Sequence, residues 1–580
     1  MLSHETTITR RERIAAFLLL AVFFTFGLFD HSLWSANDSR EGAMIAEMFR
    51  TGTWVTPLFN GSVYLEKPPL MHWTSLLFCH SFGLVNEGLV RLPAALFGLG
   101  SVIIAYLFGR EIGRERAGLT AAFMCAISAQ YFEYSKVVLT DTTLTFMIMF
   151  SLYLFWKSYS AVGKKWILYT AFILISGLSF YAKGLLGPGI IWLSVCAFLV
   201  YQRKWKLLCI LLLIFIPAVI LILMPWIIAL WKTGGREFLI TAFWANQFGR
   251  FFSFYDQTLP LDPYYVHKEP ITYYLFHLPA RLMPWTLLVP PALVYWFRRG
   301  KGLGSLPAIF IRFVFCSIVL ILHISTAKAV SYALPMFPIL FLMIGIWLED
   351  AVVKRLKIDR WLINITFGTI ALMLLIIPLG YIGAYCLRWN VLWAPGAGVA
   401  AVCLGLALLT MLFGLYSAYR LWRQFRSGAR DRIILPGLIV IVSLFVMNMS
   451  FITPAYDCQR TYLPFIDLVR REINDGRRIG LASEEERVCG QFMFYLNRTM
   501  DIIPITNDLA GFLYNSDEPT AVILPIKYRD MAVQLLTDHS FKTVQCDHTG
   551  YKSQEFILIE NFKNSAERNT LHFADPSDQD

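Results

Sequence analysis

The chain of 580 residues is 57% hydrophobic and only 16% charged, with a mean hydropathy of +0.55. That is too apolar for a soluble protein of this size, so lipid is its main solvent. The formal net charge of +11 falls in short basic clusters between apolar runs rather than in one stripe, which excludes nucleic acid as a partner and marks membrane topology instead.

Arg10, Arg11 and Arg13 precede the first apolar run, and no small-residue cleavage site follows it, so the run reads as a retained first span. Stretches able to cross about 30 Å of hydrocarbon predict roughly thirteen helices. They fall near residues 14–30, 90–109, 117–134, 141–158, 166–182, 184–201, 207–231, 277–297, 307–324, 332–349, 361–386, 393–421 and 433–453. The connections alternate in basic content. Arg110, Arg114 and Arg116 share a side with Lys157, Lys164 and Lys165, with Arg203, Lys204 and Lys206, and with Arg298, Arg299 and Lys301. Lys354, Arg355, Lys357 and Arg360 agree, as do Arg420, Arg423, Arg426, Arg430 and Arg432. By the positive-inside rule that side is cytoplasmic; an N-terminus inside and an odd number of spans then put the C-terminus outside.

Two long outer connections, 31–89 and 232–276, are rich in aromatic and charged residues, and long loops in a membrane protein tend to carry function. The first contains an amphipathic stretch, Glu41 to Phe49, and an apolar one, Leu70 to Phe82, that holds His72 and His80; both are expected to lie along the membrane surface. The domains read as a transmembrane unit over 1–453, a small α/β domain over 454–562 outside the membrane, and a disordered polar tail over 563–580. Within the α/β part, Ile479–Ala482, Ala521–Leu524 and Phe556–Ile559 read as strands and Gln491–Leu496 as helix. Most of the ten cysteines lie in apolar runs as small hydrophobes; among Cys458, Cys489 and Cys546 an oxidising compartment would allow one disulfide.

Charged residues of unusual kind gather on the outer side. Asn37-Asp38-Ser39-Arg40-Glu41 follows the first span, and Tyr64-Leu65-Glu66-Lys67-Pro68-Pro69 follows within the same loop. A solvated loop with weak surface ion pairs would also contain such residues. The Pro-Pro step favours a held geometry, because it fixes the backbone just after Glu66 and Lys67. Asp141 begins the fourth span, as a helix N-terminal acid would, and Lys183 lies in an apolar connection where it could simply snorkel. Arg250 and His267 bracket an aromatic stretch suited to the rim of a cleft, and Lys328 and Tyr332 open the tenth span. Cations beside a few carboxylates at a lipid boundary suit a phosphate ligand. Nucleotide sugars are absent from the outer face, so the phosphate would belong to a lipid. The chemistry is displacement at an anomeric carbon, with cations or a divalent metal of unspecified identity steadying the departing phosphate and a carboxylate taking the acceptor's proton.

With these residues the chain resembles the GT-C fold lipid-linked glycosyltransferases, the superfamily of aminoarabinose transferases and protein O-mannosyltransferases. The resemblance covers nearly the whole length. It rests on the first-loop Asn-Asp-Ser-Arg with Ala46-Glu47-Met48-Phe49 and Gly52-Thr53-Trp54-Val55-Thr56-Pro57, on Asn60-Gly61 with Tyr64, on Glu66-Lys67-Pro68-Pro69-Leu70 and on Arg91-Leu92-Pro93. Asp141, Ala182-Lys183-Gly184, Pro225-Trp226, Arg250-Phe251, Pro284-Trp285 and Tyr332 with Leu334-Pro335 support it.

The resemblance implies an all-α polytopic GT-C membrane protein with a small C-terminal α/β periplasmic domain. It implies transfer of a sugar, aminoarabinose among the candidates, from undecaprenyl phosphate to lipid A or another envelope lipid at the periplasmic face of an inner membrane. It places Lys67, Lys183, Arg250 and Tyr332 at the donor phosphate and Glu66 and Asp141 near a metal or catalytic centre; from the residues themselves, Arg40 joins the donor-phosphate set and Tyr64, His267 and Lys328 line the cleft. The family pattern begins Asp-Glu with Tyr after the Arg, whereas here Asn37, Asp38 and Glu41 stand at those places, so the base is left open among Asp38, Glu41 and Asp141. Two other readings compete: a protein O-glycosyltransferase with a hydroxyl acceptor, and a lipid flippase. The latter would place its polar groups near the midplane rather than at one end.

Overall fold

The computed structural model describes residues 10–33, 35–163, 165–249, 251, 269–298 and 305–354, separate helical residues between 361 and 423, and 457, 460–515, 518–536, 541–545 and 555–561. The expected span over 433–453, most of those over 361–386 and 393–421, the tail over 563–580, and Arg250, His267, Cys458 and Cys546 lie outside the described residues.

Each of the first ten expected spans coincides with helix. α1 is Arg10–Thr25 and α2, in the first long loop, is Ala36–Thr51. A hairpin of β1 (Leu58–Phe59) and β2 (Ser62–Val63) leads to α3 (Leu70–Phe82). Next come α4 (Glu87–Glu111), α5 (Glu115–Ile127), α6 (Ala129–Tyr134), α7 (Thr140–Ser160), α8 (Lys165–Leu178), the one-turn α9 (Phe180–Lys183), α10 (Leu186–Tyr201) and α11 (Trp205–Leu239). After wider π-type turns over Ile240–Gly249 come α12 (Tyr273–Arg281), α13 (Val289–Arg298), α14 (Leu306–Ile324) and α15 (Met336–Lys354). Among the described residues, four helical stretches are long and apolar enough by themselves to cross a bilayer: Glu87–Glu111, Lys165–Lys183, Trp205–Gly249 and Leu306–Ile324. A large apolar core joins these helices, with the rings of Phe108, Phe155, Trp156, Phe198 and Phe310 packed together around Phe310.

The C-terminal residues form α16 (Leu463–Asn474), β3 (Arg478–Leu481), α17 (Glu486–Leu496), β4 (Asp501–Ile502), α18 (Asn507–Tyr514), β5 (Thr520–Pro525), α19 (Arg529–Leu535), β6 (Phe541–Gln545) and β7 (Phe556–Asn561). The sheet order is β4-β3-β5-β7-β6, with β3 parallel to β4 and β5 and with β7 antiparallel to β5 and β6.

The amphipathic stretch from Glu41 to Phe49 does not lie open on the lipid surface as expected. It belongs to α2, which is buried continuously from Asp38 to Met48. The reason is a neighbour far along the chain: one apolar core contains Ile45 and Met48 of α2, Met71 and Leu76 of α3, and Phe492, Met493 and Phe494 of α17. A helix whose polar and apolar faces are both covered needs partners for its charges, and those partners make the site.

Candidate active site

The first-loop helix is set by its cap. Ser35 precedes it in extended backbone and its hydroxyl accepts the Asp38 amide at 3.1 Å, leaving Asp38, Arg40 and Glu41 in the opening turns. The hairpin then aims the next group. Asn60 and Gly61 both have positive φ, 53° and 79°, the geometry of a tight two-residue turn. Glu47 accepts the Gly61 amide at 2.8 Å, which ties the hairpin to α2. The chain leaving β2 delivers Tyr64, Glu66 and Lys67 before Pro68 and Pro69 start α3.

Glu41 is the hub of this network. Its Oε1 lies 2.8 Å from Lys67 Nζ and 3.0 Å from Arg40 Nη2, and its Oε2 lies 3.0 Å from His72 Nε2, at ionic distance but off hydrogen-bonding alignment. Burial favours the neutral acid, yet Lys67, His72 and Arg40 together hold the Glu41 carboxyl well below the usual range. Arg40 is buried too, which disfavours its charge, but Glu41, Glu66, Tyr64 and Glu486 raise its pKa well above the ordinary value. Its Nη1 is 2.7 Å from Glu486 and 3.6 Å from Glu66. The Tyr64 hydroxyl is 2.5 Å from Glu66 and 2.9 Å from Glu486, so its single proton serves one carboxylate at a time.

A second group comes from the membrane helices. α9 ends at Gly184, whose φ of +64° favours glycine; an added Cβ would also sit 1.6 Å from Gln247 Oε1. Gln247 accepts the Leu185 amide at 3.1 Å, and this break in the helical path points Lys183 sideways. Its Nζ is 2.6 Å from Asp141 Oδ1, in the first turn of α7, and 3.7 Å from the centre of the Tyr332 ring.

The two groups border one cavity of about 280 Å³, with Glu66, Lys67, Lys183 and Tyr332 among its polar lining and Leu185, Leu186, Phe248, Ile321 and Leu322 on its apolar walls. A cavity with cations at one part and greasy walls elsewhere matches the shape of a lipid phosphate.

A sequence model of the dolichyl-phosphate-mannose-protein mannosyltransferase family matches residues 14–233. The undecaprenyl phosphate-alpha-4-amino-4-deoxy-L-arabinose arabinosyl transferase of Pseudomonas aeruginosa (strain LESB58) is 27% identical over 356 residues, 60% of this chain and 61% of that protein. The chain thus spans about three fifths of that relative's length, 61%. The enzyme of the same description from Edwardsiella ictaluri is 28% identical over 426 residues, 71% of this chain and 74% of the relative. The crystal structure of ArnT from Cupriavidus metallidurans bound to undecaprenyl phosphate superposes with a TM-score of 0.71 at 16% identity, covering 96% of this chain and 99% of that one. The chain has the fold of that structure and is similar in sequence to these lipid-linked transferases.

Eight of the twelve expected site residues meet in two networks. Arg40, Glu41, Tyr64, Glu66 and Lys67 meet in the first network, and Asp141, Lys183 and Tyr332 in the second. Asp38 and Lys328 stand apart from the cavity lining. Asp38, an expected base, is 2% exposed; its Oδ2 takes Arg91 Nη2 at 2.5 Å and Nε at 3.1 Å, while its Oδ1 takes the Val138 amide at 2.8 Å. Arg91 spends its other donors on the carbonyls of Leu28, His31 and Ser32, so this pair pins the start of α2 to α4. Lys328 donates to the carbonyls of Glu269 and Ser325 and closes a loop edge. The remaining two, Arg250 and His267, lie outside the described residues.

The donor set does not suit a resident divalent metal. Glu66 faces Arg40 and Lys67, and Asp141 faces Lys183, so the charge an ion would need is already neutralised. Among the described residues no group of three or more His, Cys, Asp or Glu side chains comes together as a ligand set. The sequence reading missed Glu486. Its only local signal is the run Glu484-Glu485-Glu486 at the start of a helix, and nothing in that run points to a partner 446 residues away.

Proposed function

We propose that the protein transfers 4-amino-4-deoxy-L-arabinose, or a closely related sugar, from a polyprenyl phosphate to lipid A or another envelope glycolipid. The observation that carries this reading is one cavity bordered jointly by Glu66, Lys67, Lys183 and Tyr332, with Leu185, Leu186, Phe248, Ile321 and Leu322 on its apolar walls. The relatives described as undecaprenyl phosphate aminoarabinose transferases supply the sugar and the lipid.

In this mechanism an acceptor oxygen attacks the anomeric carbon, the bond from that carbon to the donor phosphate oxygen breaks, and its electron pair stays on the departing lipid phosphate. The phosphate gains one negative charge in the step. Lys67 and Lys183, held in place by Glu41 and Asp141, meet that charge at no cost in reorganisation. A phosphate acceptor is already ionised and brings no proton; a hydroxyl acceptor must lose one, and Glu66, which lines the cavity, is the carboxylate placed to take it. No step passes through a metal.

The reading sets about thirteen spans in an inner membrane, with the N-terminus cytoplasmic and the first loop and C-terminal unit periplasmic. The clustering of basic residues on the opposite connections supports that orientation. Mass spectrometry of envelope lipids from a deletion strain tests it. Loss of an aminopentose from lipid A is expected; unchanged lipids with glycopeptides missing would favour a protein acceptor instead.

A further inference from the structure

Glu486 opens α17, and that helix presses directly on α2: a Cβ at Gly490 would lie 2.7 Å from both the carbonyl carbon and oxygen of Ser39. The contact carries the Glu486 side chain, 21% exposed, across to the first loop, where Oε2 meets Arg40 at 2.7 Å and Oε1 meets the Tyr64 hydroxyl at 2.9 Å.

Docking of the C-terminal unit has other anchors. Asn60 exchanges two hydrogen bonds with the backbone of Met500, at 2.9 and 2.8 Å, the Tyr495 hydroxyl accepts the Leu33 amide at 2.8 Å, and Arg50 donates to the Asn497 carbonyl at 2.9 Å. Beneath them runs a shared apolar core. Glu486 is therefore a minor part of the attachment, yet it touches two residues of the network that presents Lys67. Arg40 already has Glu66 at 3.6 Å. With the Glu486 charge removed, Arg40 keeps Glu41 at Nη2 while its Nη1 turns toward Glu66, and Tyr64 competes with it for that carboxylate.

We propose that Glu486 is a positioning residue of the transfer site: it holds Arg40 and Tyr64 so that Glu66 and Lys67 stay turned toward the cavity, and the C-terminal unit thereby completes the site. The inference rests on the reading of that cavity as the donor site.

The test uses the full chain reconstituted in bilayer discs, with Glu486→Gln, which keeps the shape and removes the charge, and Glu486→Asp, which keeps the charge. Expected for Glu486→Gln is a fall in kcat of about tenfold to 10²-fold, the upper end being the scale of a 1 Å misplacement. Binding of undecaprenyl phosphate alone weakens with kcat, because Lys67 meets the charge of that phosphate, while the limited-proteolysis pattern stays as in the wild type. Glu486→Asp recovers part of the lost rate. Transfer by Glu486→Gln within twofold of wild type overturns the proposal. So does a new protease cut between the units with kcat falling equally in both variants, which is the signature of a purely structural contact. A wild-type chain that transfers nothing overturns the donor-site reading, and this inference with it.

Discussion

The Lys183 ammonium lies 2.6 Å from Asp141, joining the break between α9 and α10 to the first turn of α7. The Asp141 side chain is 2% exposed and that of Lys183 12%, so the ion pair is held largely out of water.

Removing one partner strands a buried charge, at about 3 to 5 kcal/mol, while removing both leaves none. Lys183→Met is expected to lower thermal stability in detergent sharply. The double variant Asp141→Asn with Lys183→Met should regain part of that loss without regaining transfer. Additive losses in the two single variants would show that the pair is not coupled.

Asp38 and Arg91 separate an anchor from a catalyst. Arg91 is 0% exposed and gives two hydrogen bonds to Asp38. Asp38→Asn is expected to lower the unfolding temperature and the yield of folded protein, while the folded fraction keeps transfer within about tenfold of wild type, above the 10² or greater loss typical of a removed catalytic group. A folded, stable Asp38→Asn protein without activity would restore Asp38 to the chemistry.

Apolar run length located the first ten helical stretches, because hydropathy is a local property. Glu66-Lys67-Pro68-Pro69 was legible for the same reason: its rigidity is written in adjacent residues. Pairing was not. Asp141 and Lys183 are 42 residues apart and Arg40 and Glu486 are 446 apart, and no local pattern says which acid meets which base. The misreading of α2 as a surface helix has one cause, since its second cover comes from α17. Asp38 stood out for its type, and only the fold shows Arg91 beside it.

The pH dependence follows from Glu41, whose folded-state pKa is depressed by Lys67, His72 and Arg40 against the opposing effect of burial. A depressed carboxyl stabilises the fold above its unfolded value of about 4.3 and loses that contribution as pH falls through the folded value. Melting temperature in detergent should therefore hold from neutrality to about pH 5 and decline steadily below about pH 4. Glu41→Gln should be less stable at pH 7 and flatter in acid. Parallel acid declines in the two proteins would assign the effect to other carboxylates.

Close approach of α2 and α17 leaves no room at Gly490. Gly490→Ala is expected to cost about 1 to 3 kcal/mol through overpacking against Ser39. It should expose a protease site between the C-terminal unit and the first loop, with transfer falling alongside. An intact proteolysis pattern with full activity would mean that the two helices can part without consequence.

The most direct test of the donor site is Lys67→Ala in purified, reconstituted protein supplied with undecaprenyl phosphate-linked aminoarabinose and lipid A. Lys67 reaches the cavity while bound to Glu41 at 2.8 Å. The wild-type chain is expected to move the sugar and Lys67→Ala to lose about 10² or more of the rate, the usual cost of removing one preorganised charge from a transition state. Transfer by Lys67→Ala at the wild-type rate would contradict the assignment of this cavity to the donor phosphate.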